Sequence, residues 1–235
     1  AVENMATDYV LQSTCKIPTL RFYTWKPSAV SIGRFQSLKE EVNLEYCKKN
    51  KIDFVRRITG GGAVFHDAEI TYSVCISEDN PFFSSDLHES YREICECIIK
   101  GLSKFKLKAE FSPINDILVN NKKISGCAQT RRKKIILQHG TLLMDVNLKK
   151  MFNVLKVPDE KIKDKLISDV SKRVTSLSKE LNKKVSEKEV IKNLKKGFKE
   201  YFKIEFEEAD LKQEKKLIQE IQKKIFENKK WIYER

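Results

Sequence analysis

Three of the chain's eight glycines stand together in Arg56-Arg57-Ile58-Thr59-Gly60-Gly61-Gly62-Ala63-Val64-Phe65-His66-Asp67. Consecutive glycines cost backbone entropy, so three are a poor way to make a plain turn. Without Cβ atoms their N–H groups lie open to an anion or a narrow ligand, and Arg56 and Arg57 would add charge that no ordinary pH removes. The simpler alternative is a tight hairpin flanked by surface arginines. A second cluster is Asn115-Asp116 with Lys122-Lys123-Ile124-Ser125-Gly126. An aspartate can hold Mg²⁺ while a lysine takes a phosphate or carboxylate oxygen, as a nucleotide-activating site requires. His66 and His139 adjoin these segments; each reads first as a hydrogen-bonded structural residue and second as a ligand or base. His88 lies in a helical stretch and reads as structural, and Arg131-Arg132-Lys133-Lys134 reads as a solvated loop. Neither GxxxxGK[ST] nor GxGxxG occurs, which disfavours P-loop and Rossmann nucleotide binding.

The elements that must position these residues follow from the pattern. Residues 19–25 and 29–33 read as two strands of a hairpin joined through Lys26-Pro27-Ser28, and 38–50 as a helix. Strands are expected at 52–59 and 63–66 around the glycines, and at 70–76, which is β-branched and aromatic. From 86 to 106 the apolar residues recur at three- and four-residue spacing, predicting a helix with one buried face. Residues 116–119 and 122–125 read as a hairpin whose Asn120-Asn121 tolerates positive φ, followed by a strand at 135–146. Beyond 186 the pattern predicts two amphipathic helices around a short strand at 202–206.

Composition bounds the class. In 235 residues, 40% are hydrophobic and 46 Lys+Arg outnumber 33 Asp+Glu, giving a net charge of +13. Such a chain buries a core, which excludes global disorder. No apolar run approaches the roughly 20 residues of a membrane span, and no signal peptide is evident, so the cytosol is the expected compartment. Six cysteines without a CxxC pair are expected to be free thiols. The charge by itself leaves nucleic acid, anionic membrane and acidic ligands open.

Taken together, the motifs resemble those of the lipoate–protein ligases. The glycine segment resembles that family's signature, and Asn115-Asp116, Lys123-Ile124-Ser125-Gly126-Cys127-Ala128 and Gln138-His139-Gly140-Thr141-Leu142-Leu143 follow in its order. Val170-Ser171-Lys172-Arg173-Val174-Thr175-Ser176-Leu177 is similar to its adenylate-binding loop. Glu3-Asn4-Met5-Ala6 with Asp8 resembles its opening helix, and Trp231 falls where a tryptophan closes its core. The resemblance implies an α+β fold shared with biotin ligases, a mixed, mostly antiparallel sheet flanked by helices. It implies one catalytic domain over 1–235: a sheet-rich core with the ligand motifs in 1–147, then an adenylate-binding loop and helical tail in 148–235. By the resemblance, a short first strand found in relatives is expected to be missing ahead of the opening helix.

The implied reaction is ATP- and Mg²⁺-dependent conversion of lipoate or octanoate to an acyl-adenylate, then transfer to a lysine of a lipoyl domain. The acceptor would be a 2-oxoacid dehydrogenase subunit, a glycine-cleavage carrier or a specialised lipoyl-binding protein. By the resemblance Lys123 is catalytic, bridging carboxylate and α-phosphate. Gly60, Gly61 and Gly62 let acyl chain and adenylate pass, with Thr59 among the binding residues and Arg57 beside phosphate or carboxylate. Asp116 is the Mg²⁺ or phosphate-side partner and Asn115 holds its loop. His66, His139 and Gly140 line the pocket, with a general-base role open to either histidine, and Lys165, Ser168, Arg173 and Thr175 close over the adenylate. The alternative is an octanoyl or lipoyl transferase using a cysteine thioester. Its nucleophile would precede Asn115, where this chain has Phe111-Ser112-Pro113-Ile114, and Cys127 reads as a buried small residue. A further alternative is a non-catalytic lipoyl-domain-binding relative. The chain lacks the C-terminal accessory domain of many ligases, so a separate accessory subunit is an expected partner, whereas nucleic acid and membrane are not. Positive charge is expected to steer acidic acceptor domains. The acceptor KM should therefore rise from low to physiological ionic strength, and steady-state kinetics showing no salt dependence would contradict this.

Overall fold

The computed structural model describes residues 1–81, 83–157 and 162–234. Helix α1 (Val2–Thr14) buries Met5, Ala6, Val10 and Leu11 along one face, together with the polar Asp8 and Gln12. Strands β1 (Thr19–Tyr23) and β2 (Ala29–Ile32) follow, then short helices α2 (Leu38–Glu41) and α3 (Leu44–Lys49). Next come β3 (Asp53–Arg56), β4 (Val64–His66) and β5 (Glu69–Ser77), helix α4 (Leu87–Ser103), and β6 (Ala109–Ser112), β7 (Asp116–Val119), β8 (Lys122–Arg132) and β9 (Ile135–Leu143). The C-terminal part is helical: α5 (Leu148–Val154), α6 (Lys163–Arg173), α7 (Leu177–Leu181), α8 (Glu187–Phe202), α9 (Lys215–Ile221), a π-helical turn at Gln222–Phe226, and α10 (Lys229–Tyr233).

The strands form two sheets. The larger, in order β1-β5-β9-β8-β7-β6, is antiparallel throughout. The smaller is β3-β2-β4, with β2 parallel to β3 and antiparallel to β4. This is the expected mixed, mostly antiparallel α+β arrangement. The packed helices α4 and α8 cover one face of the large sheet, where Ile94, Ile98, Leu102, Leu194 and Phe198 join Ile70, Tyr72 and Ile124 in the main core. Helix α1 lies against the opposite face of the large sheet, and the small sheet packs on the same side.

The long helix at 87–103 and the Asn120-Asn121 hairpin form as the pattern predicts, both asparagines having positive φ. Three other expectations are corrected. β1 and β2 are no hairpin: β1 pairs along the buried β5, and β2, buried at all four positions, takes a partner on each edge. The helix expected over 38–50 is broken, because Val42 bridges to Leu155 and the Asn43 side chain accepts from the Tyr46 N–H to start a new helix. No strand forms at 202–206; Lys203 turns left-handed at φ 54° and ends α8, while Phe206 packs against the core.

The C-terminal helix is tied down by one side chain. Arg56 is fully buried, and its guanidinium donates to the carbonyls of Gly33, Arg34 and Gln36 on one side and Trp231, Ile232 and Glu234 on the other. The Trp231 Nε1 returns a bond to the Arg56 carbonyl at 3.1 Å. Arg56→Met leaves these carbonyls without their donor and should lower stability by about 3–5 kcal/mol, the cost of breaking a buried charged network. Urea unfolding followed by circular dichroism measures it.

Candidate active site

Between the two sheets lies a cavity of about 370 Å³. Its walls are set by strand alternation. On the large sheet, Thr71, His139, Thr141, Gly126 and Ala128 face the cavity; on the small sheet Ser31, Val64 and His66 do. Tyr23, Trp25 and Met5 add apolar surface, and Met151 and Leu155, from α5 and its C-terminal end, line it as well. The lining is mostly apolar with a few convergent polar groups, the usual composition of a small-molecule site.

Arg57 is buried in the cavity wall. Its Nε donates to Thr59 Oγ1 at 3.1 Å, one terminal nitrogen to the Ser31 carbonyl and Oγ at 3.1 and 3.2 Å, and the other to the Gly60 and Gly62 carbonyls at 2.7 and 2.8 Å. Burial pulls its pKa down to about 10, which still leaves it charged at neutral pH. Every N–H of the guanidinium is thus used inside the protein. Arg57 holds the glycine loop, as Arg56 holds the C-terminus, and both are buried rather than surface arginines. Of the three glycines, Gly61 needs its residue type for conformation, at φ 92°. Gly60 and Gly62 meet nothing within 4 Å where a Cβ would stand.

In the cavity wall the two histidines are bonded at both ring nitrogens. His139 Nδ1 lies 3.1 Å from Asp8 Oδ2 and its Nε2 lies 2.8 Å from Thr59 Oγ1. His66 Nδ1 lies 2.7 Å from Glu69 Oε1 and its Nε2 lies 2.8 Å from Ser31 Oγ, while the Trp25 ring stacks on the imidazole at 3.9 Å. Each ring thus stands between a carboxylate and a hydroxyl, bonded within the protein at both nitrogens. Burial works to raise the Asp8 pKa, but the bond to His139, the charge of Arg21 at 2.9 Å and the bond from Tyr23 outweigh it and hold the carboxyl below its usual range.

Among the described residues, Lys123 is the cation that lines the cavity with N–H groups to spare. It stands where the β7–β8 pairing shifts register between Ile117 and Leu118, and its ammonium pairs with Asp116 Oδ1 at 2.7 Å. A Cβ on Gly126 would come within 2.8 Å of that ammonium, so the glycine leaves the tip of the lysine chain free to lie over β8. Asn115 fixes the preceding loop, donating to the Cys127 carbonyl and accepting from the Cys127 N–H at 3.0 Å. Asp116 orients the lysine, and among the described residues no group of three or more His, Cys, Asp or Glu side chains is placed to hold a metal ion.

The structure therefore brings Arg57, Gly61, Gly62, His66, Asn115, Lys123, His139 and Gly140 to the cavity wall, with Thr59, Gly60 and Asp116 in contact behind them. It does not bring Lys165, Ser168 or Arg173 there: they are exposed on α6, a helix where a loop is expected. Thr175 is buried, its N–H on the Lys123 carbonyl at 2.9 Å. Cys127, the cysteine among the lining residues, sends its thiol to the far face of the sheet, 3.8 Å from Cys95 on α4 and 3.3 Å from the Asn115 carbonyl. Ser31, Glu69 and Trp25 are participants that motif reading does not single out. Ser31 carries one signal, a polar residue between Val30 and Ile32 in a wholly buried strand.

Known proteins bear on this geometry. Octanoyltransferase LipM of Clostridioides difficile is 36% identical over 94% of this chain and 90% of its own length, and that of Bacillus subtilis is 35% identical over 75% and 73%. Among solved structures, a bi-partite lipoate protein ligase of Thermoplasma acidophilum, studied with its E2 lipoyl domain, superposes with a TM-score of 0.90 at 34% identity, covering 99% and 91% of the two chains. A lipoate-protein ligase A bound with ATP superposes at 0.84 with 32% identity, covering 98% and 92%. The curated relatives overturn the expectation of an ATP-dependent ligase: they are octanoyltransferases, which favours the transferase alternative, and ATP and Mg²⁺ lose their support with it. The model of the lipoyl protein ligase A/B catalytic domain matches residues 1–199, and on this match, the cavity and the fold, the chain belongs to that family of enzymes.

Proposed function

We propose that this protein is an octanoyl transferase, moving a medium-chain acyl group from a carrier thioester to a lysine of a lipoyl-domain protein. The observation that carries this is the ammonium of Lys123 at the mouth of an apolar cavity, in a chain whose relatives are octanoyltransferases. The acyl tail fits the apolar volume between the sheets, leaving its carbonyl at the polar rim. The acceptor amine attacks that carbonyl, a C–N bond forms, the C–S bond breaks, and the departing thiolate takes up the proton lost by the amine. Negative charge gathers on the carbonyl oxygen in between, and a preorganised ammonium there lowers the barrier. No thiol faces Lys123 among the described residues, since Cys127 points toward α4, so transfer is direct and the cysteine thioester of the transferase alternative is not part of the reading.

The test is the intact mass of an apo lipoyl domain incubated with the protein and an octanoyl-carrier thioester, beside a tube with free octanoate and ATP. Octanoylation from the thioester is expected, slowed about 10²–10³-fold in Lys123→Ala and little changed in Cys127→Ser. Acylation from free acid and ATP alone, or an octanoyl group trapped on Cys127, would overturn this reading.

A further inference from the structure

The partners of the two buried histidines fix a proton on each Nδ1, and in a neutral ring they then fix the hydroxyl protons as well. A carboxylate only accepts, so Nδ1 of His139 donates to Asp8 and Nδ1 of His66 donates to Glu69. The Nε2 of a neutral ring protonated at Nδ1 must accept, so Thr59 and Ser31 spend their hydroxyl hydrogens on the two Nε2 atoms. Each hydroxyl is left with lone pairs alone, and both face the same guanidinium, at 3.1 and 3.2 Å. Of the remaining N–H groups of that guanidinium, one ends on the Ser31 carbonyl and two on the Gly60 and Gly62 carbonyls. We propose that Asp8–His139–Thr59 and Glu69–His66–Ser31 are two positioning relays that converge on Arg57 and, through it, set the conformation of the Gly60–Gly62 loop beside the cavity.

The polarity is what makes this a relay and not mere packing. A proton added to either ring turns its Nε2 into a donor, and the hydroxyl must then send its own hydrogen elsewhere or toward Arg57. Other groups hold the carboxylates in place. Asp8 also accepts from Arg21 and Tyr23. Glu69 also accepts from Thr71, whose oxygen takes the Trp25 N–H. Beside His66, Asp67 is occupied by Ser28 and Lys150. Outer groups that orient an inner one in this way are worth most where the inner one shapes a site.

The role in catalysis rests on the acyl-transfer reading, whereas the proton placement and the loop do not, and the experiment separates them. The chain has three histidines, so long-range ¹H–¹⁵N spectra of the imidazoles are assignable, with His88→Gln removing the third. Both His66 and His139 should be Nδ1–H tautomers at neutral pH; an Nε2–H tautomer or a charged ring for either would overturn the relay. Amide exchange of Gly60–Gly62 should quicken about tenfold in Thr59→Val and return in Thr59→Ser. Unchanged exchange in the Ser31→Ala/Thr59→Val pair would also overturn it. In the acylation assay Thr59→Val should raise the KM for the thioester about tenfold while kcat moves by less than about twofold, and a change confined to kcat would contradict positioning. If the unaltered protein acylates nothing, the transferase reading falls, and the spectra and exchange still decide the relays.

Discussion

A guanidinium taken out of water must find an acceptor for each N–H, and two such groups stand side by side in this chain. Alternation along the end of β3 sends them in opposite directions. Arg56 reaches the turn after β2 and the backbone of α10, residues far apart in sequence, and joins them. Arg57 reaches Ser31, Thr59 and two glycine carbonyls, and so gives the loop a shape that its own residues do not supply. Neither charge can be left half-satisfied at low cost. The docking of the C-terminus and the wall of the cavity are therefore consequences of one dipeptide.

The same alternation sorts the chemistry of the large sheet. From β8 and β9, Ala128 and His139 face α1 and the cavity, while Cys127, Gln129 and Gln138 face α4. The thiol of the cavity lining is thus on the side where only core partners can reach it. Gly126 occupies the cavity face and yields its space to Lys123. A single-residue slip in β8 would exchange these assignments, placing the thiol beneath the substrate and the small residues in the core. Register, fixed by the bulge at Ile117/Leu118 and the paired asparagine turn, decides which nucleophile the site lacks.

Much of this was legible in the residues. The helix at 87–103 declares itself by its period, the 120–121 turn by its asparagines, and the cavity by the glycine run and the Lys123 segment, because each signal is local. What was not legible depends on where charge goes after folding. Two adjacent arginines before three glycines look like an anion site, yet burial turns both inward, and nothing in their spacing reveals that. Lys165, Ser168 and Arg173 lie in a segment that matches a binding loop in type and order, but here it winds into a helix facing solvent. Glu69 and Ser31 matter only through partners supplied by other strands.

The division of labour between the cations follows from exposure. Arg57 is buried and fully bonded, so it cannot respond to a substrate without releasing the loop. Lys123 and Asp116 remain 42% and 30% exposed as side chains, where an ion pair contributes little to stability. That weakness is useful. A pair strongly held in a dry interior would resist giving its proton donors to a developing oxyanion, whereas a half-solvated ammonium, aimed by Asp116 and seated on Gly126, can turn part of its hydrogen bonding toward the reacting carbonyl while keeping its position. The cavity thus combines a wall whose charges are spent with a rim whose charge is still available, and the proposed acyl transfer would use both: the first to hold an apolar chain still, the second to meet charge only when it forms.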